Sequence, residues 1–286
     1  MEKIKIGVDI GGSHITAGLV NLEDGTLVKE SLVRRSINSA APYDTIINEW
    51  AQTISPLIEN KQGYQVKDVC IAMPGPFDYK KGISLMQNQN KYDALYGLNV
   101  KELLAEKLNL PGKNIVMKND ASCFLLGEVY SGNMKGYHNV IGITLGTGLG
   151  SAHYVDGKIK DANLWKMSFK ETIAEEYIST RWFTKRWKEI KGEEIKGVKE
   201  IINAENSQKE IDLLFEEFAE NLTEFLYIFV KKKHPLGVVL GGNIMNAQHL
   251  FLTKVQKYLF EKKMGISIPI SNSKHGEVAA LIGSVL

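Results

Sequence analysis

One supersecondary unit occurs twice in this chain, and that duplication limits the folds open to it. An apolar strand runs into a glycine turn at Gly7-Val8-Asp9-Ile10-Gly11-Gly12-Ser13, and again at Gly142-Ile143-Thr144-Leu145-Gly146-Thr147-Gly148. Each turn returns as a second strand, Ile15 to Leu22 and Ser151 to Val155. Each return closes on an Asp-Gly turn signal, Asp24-Gly25 and Asp156-Gly157. Glycine has no Cβ, so its backbone N–H groups can approach an anion closely. Two such hairpins facing each other would clamp a phosphate chain. The copies differ in charge, because Asp9 stands where the second copy has Thr144. A carboxylate repels a phosphate unless a cation lies between them. The asymmetry therefore points to a Mg–nucleotide site, with Asp9 reaching Mg²⁺ through water.

At 286 residues the chain suits two domains rather than one core. Its 44% hydrophobic and 24% charged residues are those of an ordinary soluble globular protein. A net charge of +2 gives no reason to expect nucleic acid as a partner. Lys231-Lys232-Lys233 ends a predicted helix, where cations suit the negative helix end. Cys70 and Cys123 both sit in apolar sequence and read as buried thiols of a reducing compartment. No Cys-x-x-Cys pair is present to build a cysteine-rich zinc site. The N-terminus enters a strand without a signal-peptide pattern. The apolar run Phe225 to Val230 is far short of the about 20 residues that span a bilayer. A cytoplasmic protein with no membrane partner is the expectation.

The pattern predicts an antiparallel meander over residues 3–10, 15–22 and 27–37. A helix from about Tyr43 to Glu59 follows, with Ile46, Ile47, Trp50, Ile54, Leu57 and Ile58 on one stripe. Asp68 to Met73 reads as a buried strand stopped by Pro74-Gly75-Pro76. Asn99 is a candidate N-cap for a helix through Leu108, and Asn114 to Lys118 is a strand. Asn119-Asp120 opens a helix to Tyr130. Ser207-x-x-Glu210 has the form of a capping box for a long helix whose stripe runs Ile211, Leu214, Phe215, Phe218, Leu222, Phe225, Leu226 and Phe229. Gly237 to Leu240 is a buried strand that turns at Gly241-Gly242-Asn243, and Glu277 to Val285 is a last short helix. The hinges are expected near Lys118-Asn119 and Ser273–Gly276.

Taken singly, the chemical signals have bland readings. Gly11-Gly12-Ser13 could be only a hairpin turn. Gly146, Thr147, Gly148 and Gly150 exceed what a hairpin needs, and Thr147 adds a hydroxyl. Gly241 and Gly242 stand at a strand-to-helix junction, a position that favours anions and nucleotides. Asp9 is a charge inside an apolar strand with no partner apparent locally. Asp120 opens a helix, so it reads equally as an N-cap residue or as a catalytic carboxylate.

The ordered set Asp9-x-Gly-Gly-Ser13, Pro74-Gly75-Pro76-x-Asp78, Asn119-Asp120-Ala121, Leu145-Gly-Thr-Gly148 and Leu240-Gly-Gly242 resembles the ROK family of sugar kinases and sugar-responsive repressors. The resemblance runs from about residue 3 to 286. It implies an α/β, actin-like (ribonuclease-H-like) two-domain ATPase fold with an interdomain cleft. The first domain would be 1–118 plus 275–286 and the second 119–274, with the last helix returning to the first. It further implies that Asn119 and Asp120 bind sugar hydroxyls with Asp120 as catalytic base, and that Gly75 and Asn90 lie at the sugar. Asp9, Gly11, Gly12 and Ser13 match the first phosphate motif, with Ser for the usual Thr. Gly146, Thr147 and Gly148 match the second phosphate motif, and Gly241 and Gly242 the adenosine motif. The implied reaction is phosphoryl transfer from ATP, with Mg²⁺, to a sugar hydroxyl, expected at C6. A homodimer is an expectation by analogy.

One region departs from the pattern. Most members carry a Gly-Glu-x-Gly-His segment and then a His-x-Cys-x-Cys zinc loop after the second phosphate motif. Here residues 161–172 read Asp-Ala-Asn-Leu-Trp-Lys-Met-Ser-Phe-Lys-Glu-Thr, with neither His nor Cys. No zinc is expected, and the usual Glu and His sugar contacts are missing. Ala174-Glu175-Glu176-Tyr177-Ile178-Ser179 aligns with the helix after that loop, so Glu175 matches a sugar-contacting Glu; a solvated helix face is its bland alternative. Trp165 and Lys166 are the available replacements, with no motif behind them. The leading expectation is an ATP-dependent kinase of a hexose or N-acyl-hexosamine. A family repressor would need a helix-turn-helix domain ahead of Asp9, where no room is expected. A non-catalytic sugar sensor of the same fold is the remaining alternative.

Overall fold

The structure is a computed structural model that describes residues 4–58, 66–89, 91–262, 265 and 267–286. The chain divides into two units, one formed by Met1–Gly136 with Lys274–Leu286, the other by Tyr137–Ser273. Among the described residues, no helix is long and apolar enough to cross a membrane.

In the first unit, strands β1 (Ile4–Ile10), β2 (His14–Asn21), β3 (Thr26–Leu27) and β4 (Val33–Ser36) are followed by helix α1 (Tyr43–Ile58). Then come β5 (Val69–Met73), the short strands β6 (Phe77–Asp78) and β7 (Ile83–Ser84), α2 (Val100–Lys107), β8 (Ile115–Asn119) and α3 (Asp120–Tyr130). The main sheet has the order β3-β2-β1-β5-β8, with β4 also on β2. β1 and β2 pair antiparallel, while β5 and β8 add in parallel. The third strand expected over 27–37 is two short strands, β3 and β4, each paired with β2. The stripe of α1 is buried from Ile46 to Leu57 and packs in the same core as β1, β2 and β5. Glu59, the expected last residue of α1, lies outside the described residues. Asn99 caps α2 as expected, its Oδ1 accepting from the Glu102 N–H at 3.2 Å.

The second unit repeats the plan. Strands β9 (Asn139–Leu145), β10 (Leu149–Val155) and β11 (Lys158–Asp161) form the antiparallel part. A small hairpin of β12 (Ser168–Phe169) and β13 (Thr172–Ile173) precedes α4 (Thr180–Lys191), α5 (Val198–Ile202) and α6 (Gln208–Lys233). β14 (Gly237–Gly241), α7 (Leu252–Lys262) and β15 (Ile270–Asn272) complete it. The sheet order β11-β10-β9-β14-β15 mirrors the first sheet, three antiparallel strands and then two parallel. All eight apolar positions expected on the α6 stripe are buried. The capping box is not formed. Ser207 sits at the N-cap, but its hydroxyl donates to the Glu205 carbonyl at 3.0 Å and makes no cap bond.

The last helix, α8 (Ala279–Ser284), belongs to the first unit. The division also falls after Gly136 rather than after Lys118, so α3 stays with the first unit. The physical reason is backbone contact between α3 and α8. A Cβ on Gly283 would lie 1.8 Å from the Cys123 carbonyl oxygen, and one on Gly127 2.2 Å from that of Ala279. Neither backbone can yield without separating the helices. Gly283→Ala is therefore expected to cost more than about 3 kcal/mol. That exceeds the up to about 1 kcal/mol that alanine gains in helix propensity. Urea unfolding checks it, and wild-type stability would show that the helices can slide apart.

Candidate active site

The duplicated hairpins hold their two different residues in the same register. β1 and β2 close at Ile10–Ile15, with Asp9 opposite Thr16 one pair earlier. β9 and β10 close at Leu145–Leu149, with Thr144 opposite Gly150 one pair earlier. Asp9 and Thr144 are thus structural equivalents, and only the first hairpin carries a carboxylate beneath its glycine turn.

In the first unit the turn is open at its tip. The Gly11 N–H donates to the His14 carbonyl at 2.9 Å, and nothing lies within 4 Å of where a Cβ on Gly12 would sit. Ser13 is exposed, its Oγ 2.9 Å from the His14 Nδ1. The Asp9 carboxyl is pushed up to about 7, first by burial and then by the Asp120 carboxylate, with Glu277 adding to the rise and Arg34 opposing it. A half-buried carboxylate raised by desolvation and by a second carboxylate is a fit site for a cation. Among the described residues no group of three or more His, Cys, Asp or Glu side chains is placed to hold a metal. A single carboxylate such as Asp9 fits Mg²⁺, which keeps several waters and takes its other oxygens from phosphates.

Asn119 and Asp120 divide the two readings of the helix start between them. Asn119 is the N-cap of α3, its Oδ1 accepting from the Ser122 N–H at 2.9 Å. Asp120 is the first helical residue and accepts from the Ala121 N–H at 2.8 Å. The cap thus does not depend on the Asp120 carboxylate, which stands at the positive helix end that favours an anion. The Asn119 amide donates to Asp120 Oδ1 at 3.2 Å and to the Tyr79 hydroxyl at 3.3 Å. That hydroxyl donates to the Met73 carbonyl at 3.0 Å, and a Cβ on Gly75 would come 3.2 Å from it. Tyr79 thus ties the Gly75 turn to the Asn119-Asp120 pair. Asn90 lies outside the described residues.

Tyr92 was not singled out in the sequence. It is fully buried, and its hydroxyl donates to the Gly11 carbonyl from a residue in the left-handed region at φ 57°. That backbone is uncommon for a bulky side chain. Its ring stands edge-on to Trp50 at 5.4 Å, and burial, with the Asp9 and Glu49 charges behind it, pushes the phenol well above its ordinary value. It stays a donor, holding the carbonyl of the first glycine. Tyr92→Phe removes one hydrogen bond, worth about 1.4 kcal/mol or tenfold. A tenfold loss in kcat/KM for the nucleotide is expected, measured at saturating acceptor. Unchanged kinetics with a lower Tm would make Tyr92 purely structural.

In the second unit Gly146, Thr147 and Gly148 form the tip. The Gly146 N–H donates to the Gly148 carbonyl at 3.1 Å. The Gly146 carbonyl accepts from the Thr180 N–H at 2.8 Å and from its hydroxyl at 3.0 Å, which fixes the turn to the start of α4. Thr147 is exposed. Gly242, at φ 91°, packs against the end of β9, where a Cβ would lie 2.3 Å from the Leu145 carbonyl oxygen. The Gly241-Gly242 turn and the second hairpin are thus adjacent. Glu175 braces that hairpin: its Oε2 accepts from the Leu149 N–H at 2.9 Å, and its Oε1 pairs with Arg181. Beside it, the β12–β13 hairpin is fastened by Lys170, whose ammonium lies 5.4 Å from the Tyr177 ring centroid and 5.9 Å from that of Phe169. Lys170 also donates to the Asn221 Oδ1.

Two sheets of one topology, each ending in a glycine hairpin, define the actin-like ATPase fold. The ROK family model matches residues 5–162 and 170–286, and the chain belongs to the ROK family. The internal unmatched residues, 163–169, fall within the segment that lacks His and Cys. An uncharacterised protein of Clostridium perfringens is 28% identical over 271 residues, covering 89% of this chain and 87% of that protein. The glucokinase of Thermotoga maritima is 32% identical over 158 residues, 55% of this chain and 46% of that enzyme. The chain thus matches about half the length of that enzyme. Among solved structures, a ROK family glucokinase from Streptomyces griseus in complex with glucose and AMPPNP superposes with a TM-score of 0.78 at 22% identity, over 99% of this chain and 98% of that one.

Proposed function

We propose that this chain transfers the γ-phosphoryl group of Mg-ATP to a hydroxyl, that of C6, of a hexose or N-acyl-hexosamine. The observation that carries the reading is the placement of the Asp120 carboxylate at the positive end of α3, a helix whose cap Asn119 makes without it. Family membership and the resemblance to glucokinases support it. In this reading Asp120 accepts the proton of the attacking hydroxyl, and Asn119 and the Gly75 turn orient the sugar. Gly11, Gly12, Ser13, Gly146, Thr147 and Gly148 offer N–H and O–H donors to the phosphates, and Gly241 and Gly242 stand at the adenosine. Bound Mg²⁺ supplies charge neutralisation at the phosphates, and Asp9 orients its water shell. Each Glu175 oxygen keeps a second lone pair with which to accept from a sugar hydroxyl. No zinc is required, because Lys170 fastens the loop that replaces the zinc segment; stoichiometric zinc by elemental analysis would overturn that.

The test is ADP release with Mg-ATP against glucose, mannose, fructose, allose, N-acetylglucosamine and N-acetylmannosamine. A sugar-dependent rate names the acceptor class. Nucleotide binding with no turnover on any sugar would favour a non-catalytic sugar sensor of the same family. The cytoplasm as location and a homodimer as assembly belong to the same proposal; sedimentation of the full chain tests the dimer.

A further inference from the structure

A row of side chains crosses the first sheet beside the phosphate hairpin. Asp9 is directly opposite Thr16, and Thr16 directly opposite Arg34. Cross-strand partners project to the same face, so Arg34 shares the face of Asp9. Gly7, two residues before Asp9, shares it too, and a Cβ there would lie 2.5 Å from the Leu281 carbonyl oxygen, so α8 covers this face. The turn that leads into α8 places Glu277 at the end of the row, where its carboxylate pairs with the Arg34 guanidinium. Both partners are exposed, at 39% and 60% for Arg34 and Glu277. An ion pair so exposed contributes little to stability. Its position next to Asp9 and the open glycine turn therefore calls for another account.

We propose that Arg34 is a further catalytic residue, which Glu277 positions and which meets the γ-phosphoryl group when nucleotide binds. The inference rests on the kinase reading above. In that reaction the acceptor oxygen bonds to γ-phosphorus and the bond to the β,γ-bridging oxygen breaks. The electron pair leaves on ADP, and the hydroxyl proton goes to Asp120. Arg34 exchanges no proton. Its planar fork of N–H donors matches the oxygens of the group in transit and offsets their charge beside two carboxylates, Asp9 and Asp120. A triphosphate presents more negative charge than the single Glu277 carboxylate, so it wins the guanidinium. A diphosphate lacks the group that Arg34 would meet. Glu277 is then a positioning residue that keeps the arginine extended over the site.

The test compares Mg-AMPPNP with Mg-ADP by calorimetry on the full chain, beside turnover and thermal unfolding. Arg34→Ala is expected to weaken AMPPNP tenfold or more, leave ADP within about twofold, and lower kcat about a hundredfold with Tm unchanged. Arg34→Lys should recover part of the charge effect but not the forked geometry. Glu277→Gln should tighten AMPPNP, and should do nothing to it in the Arg34→Ala background. An unaltered preference for AMPPNP over ADP in Arg34→Ala overturns the assignment, as does a Glu277→Gln effect that persists without Arg34. If the wild type releases no ADP with any sugar but loses γ-phosphate preference with Arg34, the kinase reading fails while the contact stands. If it turns over normally without Arg34, the contact fails alone.

Discussion

Asp120→Asn is expected to lower sugar-dependent turnover between about a hundred- and ten-thousand-fold, with Mg-ATP affinity nearly unchanged. Asparagine keeps the shape of the side chain and an oxygen for the Ala121 N–H, which Asp120 now accepts at 2.8 Å. The cap of α3 belongs to Asn119, so the helix start does not depend on the lost charge. Removing an anion from a helix N-terminus costs up to about 2 kcal/mol at a partly buried site such as this one. What asparagine cannot do is accept the hydroxyl proton. Single-turnover kinetics with the best acceptor, beside nucleotide titration, measures both quantities. Equal rates for variant and wild type would remove Asp120 as the base. The substitution has a second readout, because the Asp120 charge helps to raise the Asp9 carboxyl. In Asp120→Asn that carboxyl should move back toward its ordinary value, which carboxyl titration by NMR reports.

The parts of this site that could be read from the chain are those made by neighbours in sequence. The glycine hairpins, the Gly75 turn and the Asn119-Asp120 step are local, and their backbone demands are written in consecutive residues. The doubled sheet follows from the doubled hairpin. The missed parts join residues far apart. Tyr92 meets Gly11 and Glu277 meets Arg34 across long stretches of chain. No periodicity announces either pair. The division after Gly136 was hidden for the same reason, since Gly127 and Gly283 show their purpose only once α3 and α8 touch. Ser207 fails in the opposite direction. Its spacing to Glu210 fits a capping box, but the nearby Glu205 carbonyl takes the hydroxyl instead. Glu175 is intermediate: its alignment marked it, but nothing local revealed that it braces the second hairpin.

Asp9→Asn should be more stable than the wild type at pH 8 without magnesium, and nearly inactive. In the fold the Asp9 carboxyl sits at about 7 instead of the ordinary 3.8. A raised carboxyl contributes stability that is complete below its ordinary value and is lost as pH rises through the folded one. The advantage of asparagine should therefore grow from about pH 4 to about pH 7 and stay level above. A shift of this size corresponds to a few kcal/mol at most. Burial is its largest cause and Asp120 the second, so the penalty comes from confining an anion beside another anion. A cation relieves the same penalty. Magnesium with AMPPNP should stabilise both proteins more at pH 8 than at pH 5, because the terminal phosphate itself ionises over that range, and the excess should be larger in the wild type than in the variant. Chemical unfolding across that range decides it, and parallel stability profiles for the two proteins would refute the account. Asp9 is a charge that costs the fold stability, and in the proposed kinase reading the cation that accompanies ATP is the partner for which that charge makes physical sense.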